Sequence, residues 1–214
     1  TPSRPRIFIS AVFEVQESLL SQAAITAPAN YKDPAKIEEY ISKARADLVN
    51  RARGLPYYSV VKELLVAIPA KRLVTRWTLK RDAEQNIVDR PAVNFRRWLS
   101  GNFASFWDLP VDMSSRATIN SDDYPATFIG FDIGSILRVL GTECSMPEVA
   151  SPLPPAAWMY PHIRDITSMT LVTNIDWPLV GKLRGLSPKW AGPHQDTEAD
   201  MEALLVLSNQ FGLC

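Results

Sequence analysis

The chain has only two histidines, His162 and His194. His194 stands in PHQDTEAD and is followed within six residues by Asp196, Glu198 and Asp200. Carboxylate oxygens are the hard ligands that Mg²⁺ or Mn²⁺ takes, and an imidazole beside them is suited to remove a proton from an attacking water. That combination points to metal-assisted phosphodiester hydrolysis. The same three acids at the start of a helix also complement its macrodipole, which is the competing explanation. Asp132 lies in FIGFDIGSIL, between an apolar strand-like run and an apolar helix-like run. Sites in α/β proteins gather at such strand ends, although an acid there serves equally as an N-cap. Glu14 is the one acid within Ile7–Val15, and a carboxylate in such a strand is costly unless paired, liganded or turned to solvent. Asp165, in HIRDITS, reads as the cap of a following turn.

Other chemistries have little support. Nine glycines form no GxGxxG or GxxxxGK[ST] loop, and no GxSxG elbow is present. Cys144 and Cys214 are too few for a disulfide scaffold or a cysteine zinc site. No apolar run is long enough to cross a membrane, so the expectation is a soluble, cytoplasmic protein. The formal net charge is +0, which excludes a uniformly basic coat. The charge is nevertheless divided. Residues 121–214 carry five basic side chains against eleven acidic ones, and residues 71–97 carry eight basic against three acidic. A basic half beside an acidic half suits a protein that grips a polyanion with one part and holds cations with the other. Two solvated faces of a neutral domain would look the same.

The elements that must position these residues follow in order. Ile7–Val15 (IFISAVFEV) reads as a buried strand. Asp33 caps a helix that begins at Pro34. Ile37, Tyr40, Ile41, Ala44 and Leu48 recur at helical spacing, with Lys36, Lys43, Arg45 and Arg51 mostly off that stripe and Gly54 as the stop. Tyr57–Ile68 fits helix or strand, and Leu73–Leu79 a strand or the start of a helix. Val93–Leu99 places Phe95, Trp98 and Leu99 on one helical face and turns Arg96 and Arg97 away. Residues 108–126 are turn-rich. Ala126–Phe131 reads as a short strand and Gly134–Leu140 as its following helix. Residues 147–161 hold five prolines and read as an irregular loop inside a single domain spanning 1–214. Ile163–Thr173 fits a short helix or strand. Asp196 or Thr197 caps a last helix running to about Ser208, with Met201, Leu204, Leu205 and Leu207 turned to the core.

Taken in order, the strand with Glu14, TRWTLKRDAEQN (75–86), NFRRWL (94–99), FIGFDIGSIL (128–137), WMYPHIRDITS (158–168) and HQDTEADMEALLVL (194–207) resemble the DnaQ-like 3′–5′ exonucleases of the DEDDh type. The resemblance implies an α/β, ribonuclease-H-like mixed sheet flanked by helices. It further implies a metal-dependent nuclease, active or catalytically degenerate, that removes nucleotides from a 3′ end. Two Mg²⁺ or Mn²⁺ ions would be held by Glu14, Asp132 and Asp200, with Asp196 adding to the acidic set. His194 would orient and deprotonate the attacking water. Single-stranded nucleic acid would lie along Lys80, Arg81, Arg96 and Arg97. The chain departs from the pattern in two places. Val12 stands where the family has an aspartate two residues before the glutamate, and five residues rather than four separate His194 from Asp200.

A second resemblance competes. NFASFW (102–107), IGFD (129–132) and the proline-rich stretch beyond are similar to coat proteins of flexuous filamentous plant viruses. Those are mostly helical and bind single-stranded RNA without catalysis. In that case Arg96 and Arg97 would contact phosphate and Asp132 would pair with an arginine. An interaction domain without any catalytic site is the third expectation.

Overall fold

The computed structural model describes residues 5–20, 25–102, 126–144, 162–170 and 175–213. The readings of 108–125 and 147–161 as turns and loop, most of NFASFW, and Cys214 lie outside the described residues. The centre is β1 (Arg6–Val15). On one side it pairs antiparallel with β2 (Ser59–Ile68), which pairs antiparallel with β3 (Leu73–Thr78). On the other side β6 (Thr127–Gly130) runs parallel to β1, and β7 (His162–Asp165) parallel to β6. The order is β3-β2-β1-β6-β7. The protein is thus α/β, with a five-stranded mixed sheet flanked by helices, an arrangement compatible with a ribonuclease-H-like fold. A separate small hairpin joins β4 (Lys80–Arg81) to β5 (Ile87–Asp89).

Both faces of the sheet are covered, which is why β1 reads as a near-continuous apolar run rather than an alternating one. Ile7, Ile9, Ala11 and Phe13 turn to one face, against Phe95 and Leu99 of α3 (Pro91–Asn102) and Ile133, Ile136 and Leu140 of α4 (Ile133–Cys144). Phe8 turns to the other face, with Leu65, Ala67 and Ile129. There it meets Met201, Leu204 and Leu207 of the last helix, which we label α7 (Thr197–Gln210). Each fully buried side chain of this size contributes about 1.5–3 kcal/mol. The double burial also settles the ambiguous Tyr57–Ile68. Val60, Val61 and Val66 pack well on a pleated surface, and β2 is bonded on both edges.

Between β1 and β2 lie α1 (Glu17–Leu20) and α2 (Pro34–Ala52). Asp33 caps α2 by accepting from the Ala35 amide at 3.0 Å, with Pro34 at the first helical position. α5 (Ile166–Met169) follows β7 directly, capped by Asp165, so the described part of the Ile163–Thr173 stretch is strand and then helix. α6 (Trp177–Arg184), capped by Asp176, has no counterpart in the sequence reading. It ends in Gly185 at φ +69, a left-handed position that favours glycine. Among the described residues, no helix is long and apolar enough to cross a membrane.

One charged pair is built into the first core. Glu143 is fully buried near the end of α4. It accepts from the Val61 amide at 2.9 Å and from Arg90 Nη1 at 3.0 Å, so it ties α4 to β2 and to the entry of α3. Burial pushes its carboxyl up to about 7, against the Val61 N–H and the Arg90 charge, both of which favour the anion. Removing one partner of such a pair strands the other in the core. Arg90→Met should therefore cost about 3–5 kcal/mol in urea unfolding followed by tryptophan fluorescence. The double change Arg90→Met with Glu143→Leu should recover most of that loss.

Candidate functional site

The parallel strands β1, β6 and β7 leave their carboxyl ends on one edge of the sheet. β6 ends at Gly130, opposite Ile9. A Cβ at Gly130 would lie 2.8 Å from the Ile9 carbonyl oxygen and 3.0 Å from Ile133, so glycine permits this close approach. Phe131 and Asp132 then turn the chain into α4. Asp132 has φ +45, and its amide is held at 3.0 Å by Thr167 Oγ1 from α5. Asp165, at the end of β7, accepts from the Thr167 amide at 3.1 Å and from Ser168 Oγ at 2.7 Å. The two acids therefore leave adjacent strands and share Thr167 as a neighbour.

β1 extends past the end of β6, and there its Ala11 carbonyl is met by the turn before α7. His194 Nδ1 lies 2.8 Å from the Ala11 carbonyl oxygen, and its ring packs 5.0 Å from that of Phe13. A carbonyl only accepts, so Nδ1 carries the proton and Nε2 presents a lone pair. Nε2 is buried and has no hydrogen-bond partner among the described residues. Burial holds the His194 pKa below its ordinary value, while the Ala11 carbonyl and the charges of Asp132 and Asp165 act to raise it. The neutral ring is thus an acceptor near two acids. Like Asp132, His194 has a left-handed backbone, at φ +66. Such strain costs about 1–3 kcal/mol per residue and persists only where surroundings impose it.

What imposes it is Asp200. This carboxylate is 1% exposed. One oxygen accepts from Trp190 Nε1 at 2.8 Å and the other from the His194 amide at 2.7 Å. Helix α7 starts at Thr197, with Asp196 as N-cap accepting from the amides of Glu198 and Ala199. The extra residue between His194 and Asp200 therefore falls in the turn, and Asp200 still faces inward from the first helical turn. Trp190 stacks on Phe131 with ring centroids 5.5 Å apart, and Trp177 meets both rings edge-on. This aromatic layer lies directly behind Asp132 and the His194 turn.

The remaining predicted residues are placed elsewhere. Glu14 points to the α7 face of the sheet, where Arg81 Nη2 meets it at 2.5 Å. Lys80 pairs with Asp89 at 3.3 Å. Arg96, half-buried, and Arg97, exposed, lie on α3 across the sheet from α7. The chain thus brings together His194, Asp132 and Asp200, with Asp165 added; Glu14 and the four basic residues are not part of that cluster.

No protein-family model, curated protein or solved structure matches the chain. The geometry alone therefore decides whether the residues suit Mg²⁺ or Mn²⁺. Either ion prefers an octahedral set of oxygens including free carboxylates. Asp200 has both oxygens taken, Asp196 caps α7, Glu14 faces an arginine, and Val12 offers no oxygen. Among the described residues, no three His, Cys, Asp or Glu side chains are grouped to hold a metal. The described residues do not fit the ion.

Sequence reading did not find Trp190, Thr167, Glu63 or Arg76, and took Asp165 only as a cap. A usable signal existed for Asp165. HIRDITS repeats the pattern of FIGFDIGS, an acid between a strand and a helix, and parallel neighbours bring two such acids side by side. Burial pushes the Asp200 carboxyl up to about 7, against the two N–H donors. A carboxyl that binds its proton more tightly when folded favours folding at low pH and loses that contribution as pH rises from its ordinary 3.8 to about 7. Asp200→Asn removes this slope and leaves one N–H without an acceptor, at a cost of about 1–3 kcal/mol. Urea unfolding at several pH values should show the wild-type advantage shrinking between pH 4 and 7.

Proposed function

We propose that this protein is a catalytically degenerate relative of the 3′–5′ exonucleases that keeps a ribonuclease-H-like site and binds single-stranded nucleic acid through the basic residues of 71–97, apart from that site. One observation carries the reading. The carboxyl ends of three parallel strands converge on His194, Asp132 and Asp165, with Asp200 spent on holding the histidine turn. The strand order β3-β2-β1-β6-β7, the imidazole at the end of β1 and the acid after β6 support descent from a hydrolytic site. Val12 and the engaged Asp200 support the loss of hydrolysis. The excess of basic residues in 71–97 supports a polyanion as partner. Within it, Arg97 is the exposed member of the α3 pair, while Lys80 and Arg81 are engaged in ion pairs. A mostly helical coat architecture does not accommodate the five-stranded sheet.

The test uses 5′-labelled single-stranded DNA and RNA. Fluorescence anisotropy should show binding that weakens steeply with salt. Arg96→Gln with Arg97→Gln should weaken it several-fold and lower the salt slope by about 1–2. The oligonucleotide should stay at full length in Mg²⁺ or Mn²⁺. Shortening from the 3′ end that stops with EDTA and in His194→Ala would establish an active nuclease instead. Absence of salt-sensitive binding would leave an interaction domain.

A further inference from the structure

Helix α2 carries an amphipathic pattern that neither core absorbs. Ile37, Ile41, Ala44 and Leu48 are spaced four, three and four residues apart. They form one narrow seam along a helix of 19 residues, about 28 Å long. Such a stripe ordinarily faces a core. Here, among the described residues, Ala52 is the one buried residue of α2, and no α2 side chain belongs to either apolar cluster of the sheet. Ile41 is 36% exposed, and Ile37, Ala44 and Leu48 are half-buried. Tyr40 borders the seam and packs at 5.5 Å on Tyr31, itself 37% exposed, so apolar surface continues past the start of the helix. α1 meets a different flank of α2: Glu17 lines a groove with Ser42, Arg45, Ala46 and Val49, and reaches Arg45 at 3.5 Å. Both members of that ion pair are well exposed, so it contributes little and leaves Arg45 able to serve another acid.

The charges beside the seam select its occupant. With Ile41 and Leu48 at heptad positions a, and Ile37 and Ala44 at d, Glu38 and Arg45 fall at e, and Tyr40 and Asp47 at g. We propose that this seam pairs with the α2 of a second copy of the chain, antiparallel, about a two-fold axis. Ile37 then packs on Leu48 of the second copy, and Ile41 on its Ala44. Glu38 lies beside Arg45 of the second copy and Tyr40 beside its Asp47, and the symmetry repeats each pair. Parallel pairing instead sets Asp33 beside Glu38, two like charges, and leaves Arg45 opposite Tyr40. Charge therefore specifies the antiparallel orientation. The seam covers fewer than three heptads, so the dimer is a weak, concentration-dependent one. It uses neither the His194 site nor the basic residues of 71–97.

The test is sedimentation equilibrium of the full chain, in reducing buffer and without nucleic acid. The average mass should rise from one chain toward two across the micromolar range. Ile41→Asp should be monomeric at every concentration. Glu38→Arg sets like charges together on both sides of the axis and should raise the dimer Kd about tenfold. Glu38→Arg with Arg45→Glu restores opposite charges in the same register and should recover most of that loss. Circular dichroism checks that each variant is folded, and the charge reversal decides the matter alone if Ile41→Asp is not. A wild type that stays monomeric throughout gives the seam to another occupant and overturns the proposal. A dimer that Ile41→Asp leaves intact overturns it too, by placing the interface elsewhere. So does a double variant as weak as Glu38→Arg, which removes the antiparallel register.

Discussion

The Asp200 carboxylate holds the site in place. It is buried, and each of its oxygens receives one N–H, from the Trp190 indole and from the His194 backbone. An acceptor of this kind is expensive to bury unless both oxygens are used, and here both are. The result is a fixed distance between the first turn of α7 and the preceding loop. That distance keeps His194 in a left-handed backbone and its ring against Ala11 and Phe13. Trp190, held by the same carboxylate, is stacked on Phe131, whose neighbour is Asp132. One carboxylate thus connects the histidine turn to the strand that carries the opposing acid.

The same engagement limits what the acids of the site can hold. A dication requires oxygens that are free to turn toward it. In this chain the acids expected to do so each answer to another group: Asp200 to two N–H donors, Asp196 to the helix it caps, and Glu14 to Arg81. Asp132 is exposed and stands with a neutral imidazole and a capping aspartate. Val12 completes the contrast, since a branched apolar side chain packs on the sheet face where the related pattern has an aspartate.

Charge works at two levels. Glu143 and Arg90 are inside the first core, where an ion pair costs desolvation and mainly specifies which elements meet. Arg76 and Arg81 are partly exposed and join elements distant in sequence at the boundary of the second face. Individually such pairs contribute little. Their effect is positional, because each fixes a helix start or a hairpin to the sheet.

Local patterns were legible wherever a short-range rule was sufficient. Asp33-Pro34 as a helix start, a cap of the last helix at Asp196 or Thr197 (the structure uses Asp196), the apolar run of β1 and the strand–helix change at Asp132 all follow from neighbours a few residues apart. The central strand was also readable, because a doubly covered strand must be apolar throughout; the α/β class came from the resemblance. α6 was not legible, since Trp177–Arg184 spans only eight residues, about two turns, too short for a clear helical period. Nor were the partners of the acids. Glu14 and Arg81 are 67 residues apart, Arg76 and Glu198 are 122 apart, and Ala11 and His194 are 183 apart. Whether a carboxylate is a ligand, a cap or half of an ion pair depends on which donor reaches it, and only the pairing of β1 with its neighbours and the docking of α7 bring those donors within hydrogen-bonding range.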